Sequence, residues 1–428
     1  MVQESTIRRM TRLAHAHNAV NLSQGFPNEP PPWELRVGLA HAVLTGQSTA
    51  TLATAEAVRN VLDEHEDAVR ENDELNQYSP PMGRLDLRQA IVDYYERVYG
   101  FAGIDAATQV TITLGATEAV ACALRAVTRP GDRVVILEPF HELYPSQCRI
   151  FYLEPVCVRL RAGGQAAWEY DPLELEDALR DSKVLLLNSP HNPTGKVFTY
   201  EELQQIVDWC IQYDVFIITD EIYEHMCFHD RHYVLPHTFP QAADRILVCN
   251  SLGKSAAATG WRLGWCIHPT TLSQDYRAIH DQLTVMSPHP MQYAARTFFA
   301  FPVSHYRNLA TKYQERVDVL TRLVTAVGLG VVVPPAAAYY LLVTYDAIPA
   351  LRHKTPMEAA EYMVEHIGVA CVPADAFYQD EAPRYLRLAA CRTLADLETA
   401  GLRLERLLLD VDADETAITE ASAQKSEG

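Results

Sequence analysis

From about residue 108 to 270 the chain repeats one pattern, a short run rich in Val and Ile followed by a longer amphipathic stretch. The apolar runs are Val110–Leu114, Arg133–Leu137, Val156–Leu160, Val184–Leu187, Val215–Thr219, Ile246–Cys249 and Leu263–Ile267. Runs without a polar alternate position read as strands buried on both faces of a largely parallel sheet. Helix-like segments such as Glu201–Tyr213, with polar residues along one face, separate most of them. The pattern predicts a three-layer α/β unit around a mainly parallel, seven-stranded sheet.

Beyond residue 300 the periodicity changes. A long helix is expected over Pro302–Val327, with Pro302 at its first position, where a missing N–H costs nothing. Strand-like Tyr339–Val343 and Tyr385–Leu388 follow, then a last helix over Leu394–Leu409. These elements predict a smaller α+β domain over residues 301–410, joined by the N-terminal segment 1–45, with a large domain over 46–300. Within the latter, residues 45–75 form an extra segment whose spaced Val58, Val61, Leu62 and Val69 suggest an amphipathic helix. It reads as a solvated surface element, or as part of an active-site entrance. Residues 411–428 are acidic, rich in small residues and without apolar periodicity, and are expected to be disordered.

Ligands of such sheets collect beyond the carboxyl ends of the strands, and the polar residues worth singling out fall there. In Asn250-Ser-Leu-Gly-Lys254, followed by Gly260-Trp-Arg262, the lysine can hold an aldehyde cofactor as a Schiff base. Ser251 and Arg262 can grip that cofactor's phosphate; alternatively Lys254 is an exposed loop lysine beside a structural arginine. Asp220-Glu-Ile-Tyr223 places a carboxylate where it can keep a pyridine nitrogen protonated, with a phenol close enough to reach the ring oxygen. A helix-capping aspartate beside a surface tyrosine is the alternative there. Ser189-Pro-His-Asn192-Pro-Thr-Gly195 offers an amide to the same oxygen, or is ordinary turn chemistry. Leu114-Gly-Ala-Thr117-Glu118 opens a helix after a strand, a natural phosphate cradle. Thr117 adds a hydroxyl or caps the helix, and Glu118 suits the first turn for dipole reasons alone. Arg387, inside an apolar strand, either grips a substrate carboxylate bidentately or pairs with an internal acid.

Composition narrows the classes. A formal charge of -19 over 428 residues argues against nucleic acid as a partner. Nine scattered cysteines without a CxxC pair support neither a zinc site nor a disulfide framework, so no metal is expected and reduced cytoplasmic thiols are the simplest reading. No apolar run reaches membrane-spanning length, and no apolar signal segment opens the chain.

Taken together, these segments resemble the class I/II aminotransferases of the fold type I pyridoxal phosphate family, from about Ile7 to Leu409. Asn21-Leu-Ser-Gln-Gly25-Phe-Pro27 is similar to the opening of kynurenine-type members. The resemblance implies pyridoxal 5'-phosphate held on Lys254, which then shuttles a proton between the substrate's Cα and the cofactor's C4′. It implies Asp220 on the pyridine nitrogen, Asn192 and Tyr223 on the ring oxygen, and Ala116, Thr117, Ser251 and Arg262 on the phosphate. Tyr78 would reach that phosphate from a neighbouring subunit, so a homodimer with shared sites is implied. Gly25, Asn192 and Arg387 would hold the substrate's α-carboxylate. The family's ring-stacking aromatic position is His141 here, with Phe140 beside it as the alternative. Gly253, Ala337 and Ala374 depart from residues frequent in the family.

The expected reaction is transfer of an amino group between an L-amino acid and a 2-oxo acid. Elimination or replacement at Cβ or Cγ on the same scaffold is the alternative, raised by the 45–75 segment and the histidine stacker. An intact lysine argues against a catalytically dead binding protein. The sequence assigns no second arginine to a substrate's distal group, so side-chain preference is not read from it.

Overall fold

The structure, a computed structural model, describes residues 5–46, 51–63, 74–163, 167–229 and 231–408. All seven apolar runs become strands of one sheet. Its spatial order is Val110–Thr113, Gly264–Ile267, Ile246–Ser251, Phe216–Asp220, Val184–Asn188, Arg133–Glu138, Glu154–Arg159. Gly264–Ile267 runs antiparallel to both neighbours, while the other ladders are parallel. The reason for the unbroken hydrophobicity is visible strand by strand. Val134, Ile136, Val184 and Leu186 enter one core, against the helix Gly115–Val127. Val135, Leu137, Leu185 and Leu187 enter the core on the opposite face. Each fully buried aliphatic side chain contributes roughly 1.5–3 kcal/mol relative to exposure, so register is pinned from two sides and the strand ends are fixed platforms.

The helix Tyr200–Gln212 lies one residue before its predicted bounds and begins with a reciprocal capping box between Thr199 and Glu202. The long helix spans Val303–Ala326, and Pro302 is its cap rather than its first residue. The cause is backbone geometry, since Pro302 has an extended ψ of 154° and helical dihedrals begin one residue later. The last helix, Leu394–Leu404, is capped by Thr393. Leu409 and the acidic tail 411–428 lie outside the described residues.

A second, antiparallel sheet has the order Gly330–Val331, Tyr340–Thr344, Tyr385–Ala389, Val372–Pro373. The N-terminal chain joins this region. Val20–Asn21 pairs in parallel with Val369–Ala370, and the helix Thr6–Ala16 buries Met10 and Ala14 in the same core. Residues 33–45 behave differently, because the helix Trp33–Thr45 packs against His289–Phe299. Of the extra segment, the helix Ala55–Asp63 rests on Trp33–Thr45. Residues 47–50 and 64–73, including Val69, lie outside the described residues. Among the described residues no helix is long and apolar enough to cross a membrane, and all nine cysteines are free thiols.

Where the strand Gly264–Ile267 meets the start of the helix Gly115–Val127, two backbones nearly touch. A Cβ on Gly264 would lie 2.5 Å from the Gly115 carbonyl carbon and 2.7 Å from the Asn250 carbonyl oxygen. These are backbone atoms, which cannot swing aside. Gly264→Ala is expected to lower unfolding free energy by about 1–3 kcal/mol in denaturant titration. Gly260→Ala, where nothing lies within 4 Å, serves as the control and should stay within about 0.5 kcal/mol.

Candidate active site

The ends of the parallel strands open into one cavity of about 950 Å³ between the two sheets. Gly25, Ala116, Thr117, His141, Asp220, Ser251, Lys254, Arg262 and Arg387 all line it. Nine positions selected along 363 residues of sequence thus converge on one space. Asn192 and Tyr223 stand one layer behind the wall. Tyr78 is 78% exposed and away from the cavity of its own chain.

Lys254 sits in the short helix Leu252–Ser255, directly beyond the strand Ile246–Ser251. Its Nζ donates to the backbone carbonyl of Gly25, which also accepts from Tyr339 Oη at 3.1 Å. Burial lowers the amine to about 8, with the Arg387 and Arg262 charges pushing the same way and Asp220 opposing them. The amine is therefore much closer to a neutral nucleophile at physiological pH than an ordinary lysine.

Asp220 closes the strand Phe216–Asp220. Its Oδ2 accepts from Tyr144 Oη at 2.8 Å, while Oδ1 is buried without a partner. Burial raises the carboxyl to about 6, against the lowering effect of Tyr144; it remains mostly ionised at neutral pH. A half-satisfied buried carboxylate facing a cavity is costly unless a donor arrives.

Arg387 is 1% exposed. Its Nη1 donates to Asn192 Oδ1 at 3.1 Å, its Nη2 to the Ser23 carbonyl at 2.9 Å, and its Nε has no partner. The guanidinium lies between the rings of Tyr340 and Phe377, 4.4 and 4.9 Å from their centroids. The alternative of an internal salt bridge fails among the described residues, since no carboxylate pairs with it. Tyr223 Oη meets Tyr340 Oη at 2.8 Å. A Cβ on Gly25 would sit 1.9 Å from Tyr340 Oη, so any larger residue there would have to displace that ring.

At the other end, the helix Gly115–Val127 starts without a side-chain cap, leaving its first N–H groups directed at the cavity beside Ala116 and Thr117. Thr117 is therefore not a capping residue. Arg262 lies across this start, with Nη2 on the Leu114 carbonyl at 3.1 Å and Nη1 on the Thr259 carbonyl at 3.2 Å. Its backbone is left-handed, at φ 49° and ψ 49°, a conformation costing a non-glycine residue about 1–2 kcal/mol. Gly115, at φ 76°, lets the guanidinium approach, since a Cβ would lie 2.6 Å from Nη2. Together the helix start and the arginine form an anion cradle.

His141 accepts from the Leu143 N–H through Nδ1 at 3.1 Å. Burial and the nearby Arg387 and Lys254 charges lower it to about 3, so the ring is a neutral, flat surface at the cavity. Phe140 also borders the cavity but packs into the core under the helix Gly115–Val127. Glu118, assigned only a dipole role from sequence, is buried and accepts from the Leu114 N–H, Thr284 and His280. With Cys122 and His280 it forms a group of metal-like spacing. His280 Nε2, however, faces the Pro81 carbonyl at 2.8 Å and Nδ1 faces Glu118 at 2.6 Å. The histidine thus bridges Glu118 to the backbone carbonyl of Pro81.

Sequence reasoning missed Tyr144, Tyr340, Ser23 and Phe377. Tyr144 lies three residues past His141 on the same turn and Ser23 within the Asn21–Pro27 motif, weak available signals; Tyr340 and Phe377 carry none. The residues present suit a flat phosphorylated pyridine aldehyde. Asp220 Oδ1 awaits a protonated nitrogen, Lys254 an aldehyde, and the Arg262 cradle a dianion.

A family model described as aminotransferase class I and II matches residues 42–404. The methionine aminotransferase of Escherichia coli (strain K12) is 30% identical over 401 residues, spanning 93% of this chain and 95% of that protein. Kynurenine–oxoglutarate transaminase 3 of Homo sapiens is 29% identical, over 87% of this chain and 80% of the human one. The solved structure of N-succinyldiaminopimelate aminotransferase from Mycobacterium tuberculosis superposes with a TM-score of 0.84 at 28% identity, covering 95% of this chain and 98% of that one. These likenesses favour amino transfer over the elimination or replacement chemistry that the sequence left open. The chain belongs to the class I and II aminotransferases, fold type I transferases whose cofactor is pyridoxal 5'-phosphate.

Proposed function

We propose that this aminotransferase moves an amino group between an L-amino acid and a 2-oxo acid with Lys254 as its proton-transfer residue. The observation that carries the reading is the charge imbalance of the cavity. The lining gathers Arg8, Arg149, Lys254, Arg262 and Arg387 against Glu142, Asp220 and Asp375. A phosphate and a substrate carboxylate supply the missing negative charge.

Bound there, pyridoxal 5'-phosphate supplies an electron sink for the charge that develops at the substrate's Cα. Lys254 Nζ, its pKa lowered by burial, takes the proton from that carbon. Asp220, held by Tyr144 with Oδ1 bare, keeps a positive charge on the ring nitrogen. Arg387, braced by Asn192 and stacked on Tyr340, receives the α-carboxylate, with the Gly25 segment closing the same end. Asn192 and Tyr223 would bond the ring's oxygen, and neutral His141 would cover the ring face. The N–H groups at Ala116 and Thr117, with Ser251 and Arg262, hold the phosphate.

The exposed phenol of Tyr78 supports a homodimer in which each copy completes the other's phosphate site. The division into a large domain, a small domain with the N-terminal strand, and a cytoplasmic location complete the reading.

Three outcomes test it. Lys254→Ala should lower turnover by at least about 10²–10⁴-fold in an assay of amino transfer to 2-oxo acids across a panel that includes methionine and kynurenine. Full activity in that variant would sink the assignment. Arg387→Lys loses the bidentate grip and should raise KM for the amino acid about 10–100-fold; an unchanged KM would remove Arg387 from the carboxylate site. Only the unprotonated Lys254 amine can capture an aldehyde. Cofactor capture by the cofactor-free protein should therefore accelerate as pH rises through about 8 and level off above it. Stopped-flow absorbance reads this directly, and a midpoint near that of an ordinary lysine would contradict the buried amine.

A further inference from the structure

The segment that presents Asp220 to the cavity turns a second carboxylate the other way. Glu224 is buried and does not border the cavity. Its Oε1 accepts from Tyr94 Oη at 2.8 Å and from Asn250 Nδ2 at 2.9 Å, and its Oε2 accepts from Tyr99 Oη at 2.6 Å. Asn250 in turn accepts the Ser251 N–H through Oδ1 at 2.7 Å. Glu224 lies four residues after Asp220, and Asn250 four residues before Lys254.

The placement of this bond matters because of where the sheet stops. The strands Phe216–Asp220 and Ile246–Ser251 are adjacent, and their register ends at Asp220 opposite Cys249. The last backbone tie between them is the Glu221 N–H on the Cys249 carbonyl, at 3.0 Å. Past that point one chain enters a loop and the other a helix, and the ladder no longer sets their separation. The Glu224–Asn250 bond is the next tie between them. It lies just after Asp220 on one chain and just before Lys254 on the other, the two residues that, on the reading of function above, must meet opposite ends of one rigid ring.

We infer that Glu224, acting through Asn250, is a positioning residue that fixes the spacing between the Asp220–Tyr223 loop and the Ser251–Lys254 turn. At neutral pH the Glu224 carboxyl stands near its titration point. Burial pushes the Glu224 carboxyl up to about 7. Adjacent His225, 3.5 Å away, is lowered by burial to about 3 and supplies no positive charge. Glutamine can therefore stand in for this acid, keeping an acceptor for Asn250, whereas leucine fills the volume and severs the link.

The test measures three quantities on the full chain: the Kd for pyridoxal 5'-phosphate, the Tm of the cofactor-free protein, and kcat and KM. Glu224→Leu and Asn250→Leu should each raise the Kd about tenfold or more. The double variant should be no worse than the poorer single, because both cut the same link. Glu224→Gln should hold the Kd within about twofold of the unsubstituted chain. A lower Tm with the Kd unchanged in the leucine variants would overturn the inference, as would Glu224→Gln binding as poorly as Glu224→Leu. Should Glu224→Leu fail to fold, Asn250→Leu measured against Glu224→Gln decides alone. Failure of the functional reading looks different, for then the unsubstituted chain itself would not bind the cofactor or transfer amino groups.

Discussion

A guanidinium with almost no solvent and no carboxylate partner sets the terms for the rest of this molecule. Arg387 belongs to the small antiparallel sheet, yet its two terminal nitrogens bond Asn192, beyond a strand of the large sheet, and Ser23, in the N-terminal chain. One side chain therefore ties three regions that are remote in sequence. Desolvating such a charge costs several kcal/mol even after relaxation. Two carbonyl-type oxygens and two aromatic faces compensate only part of that cost. On the function proposed above, an amino acid's carboxylate would recover the remainder and be more than a passive handle.

The same economy of charge shapes the neighbouring residues. Lys254 is lowered and Asp220 raised, each chiefly by burial. Both shifts draw the groups toward neutrality, but by different amounts, so at neutral pH the acid is still an anion while the amine is near its titration point. His141 is held neutral by burial, reinforced by the Arg387 and Lys254 charges. The chemistry of the cavity follows from dehydration first and from pairing second.

Much of this could be read from the sequence, and the boundary of legibility has a physical cause. Strands buried on both faces announce themselves as unbroken apolar runs, so all seven were found. Residues fixed to strand ends, such as Asp220, Lys254 and Thr117, inherit that precision. Tyr144, Tyr340 and the Glu224–Asn250 bond were not legible, because they act through partners 26 to 117 residues away and no local period encodes such pairings. Glu118 was misjudged for the same reason: its first-turn position was correct, but its bond to His280 spans 162 residues. The left-handed backbone of Arg262 is likewise invisible, since an arginine gives no hint of a conformation usually left to glycine.

Gly25 offers a last lesson. Its carbonyl receives Lys254, its missing side chain makes room for Tyr340, and its neighbour Ser23 receives Arg387. The cavity thus closes only when chain near residue 25 has docked against chain near residue 387. Contacts spanning 229 and 364 residues are thus spent on the site. A ligand that prefers the closed cavity stabilises that docking by mass action. Cofactor loading then reinforces the grip between the two ends of the chain.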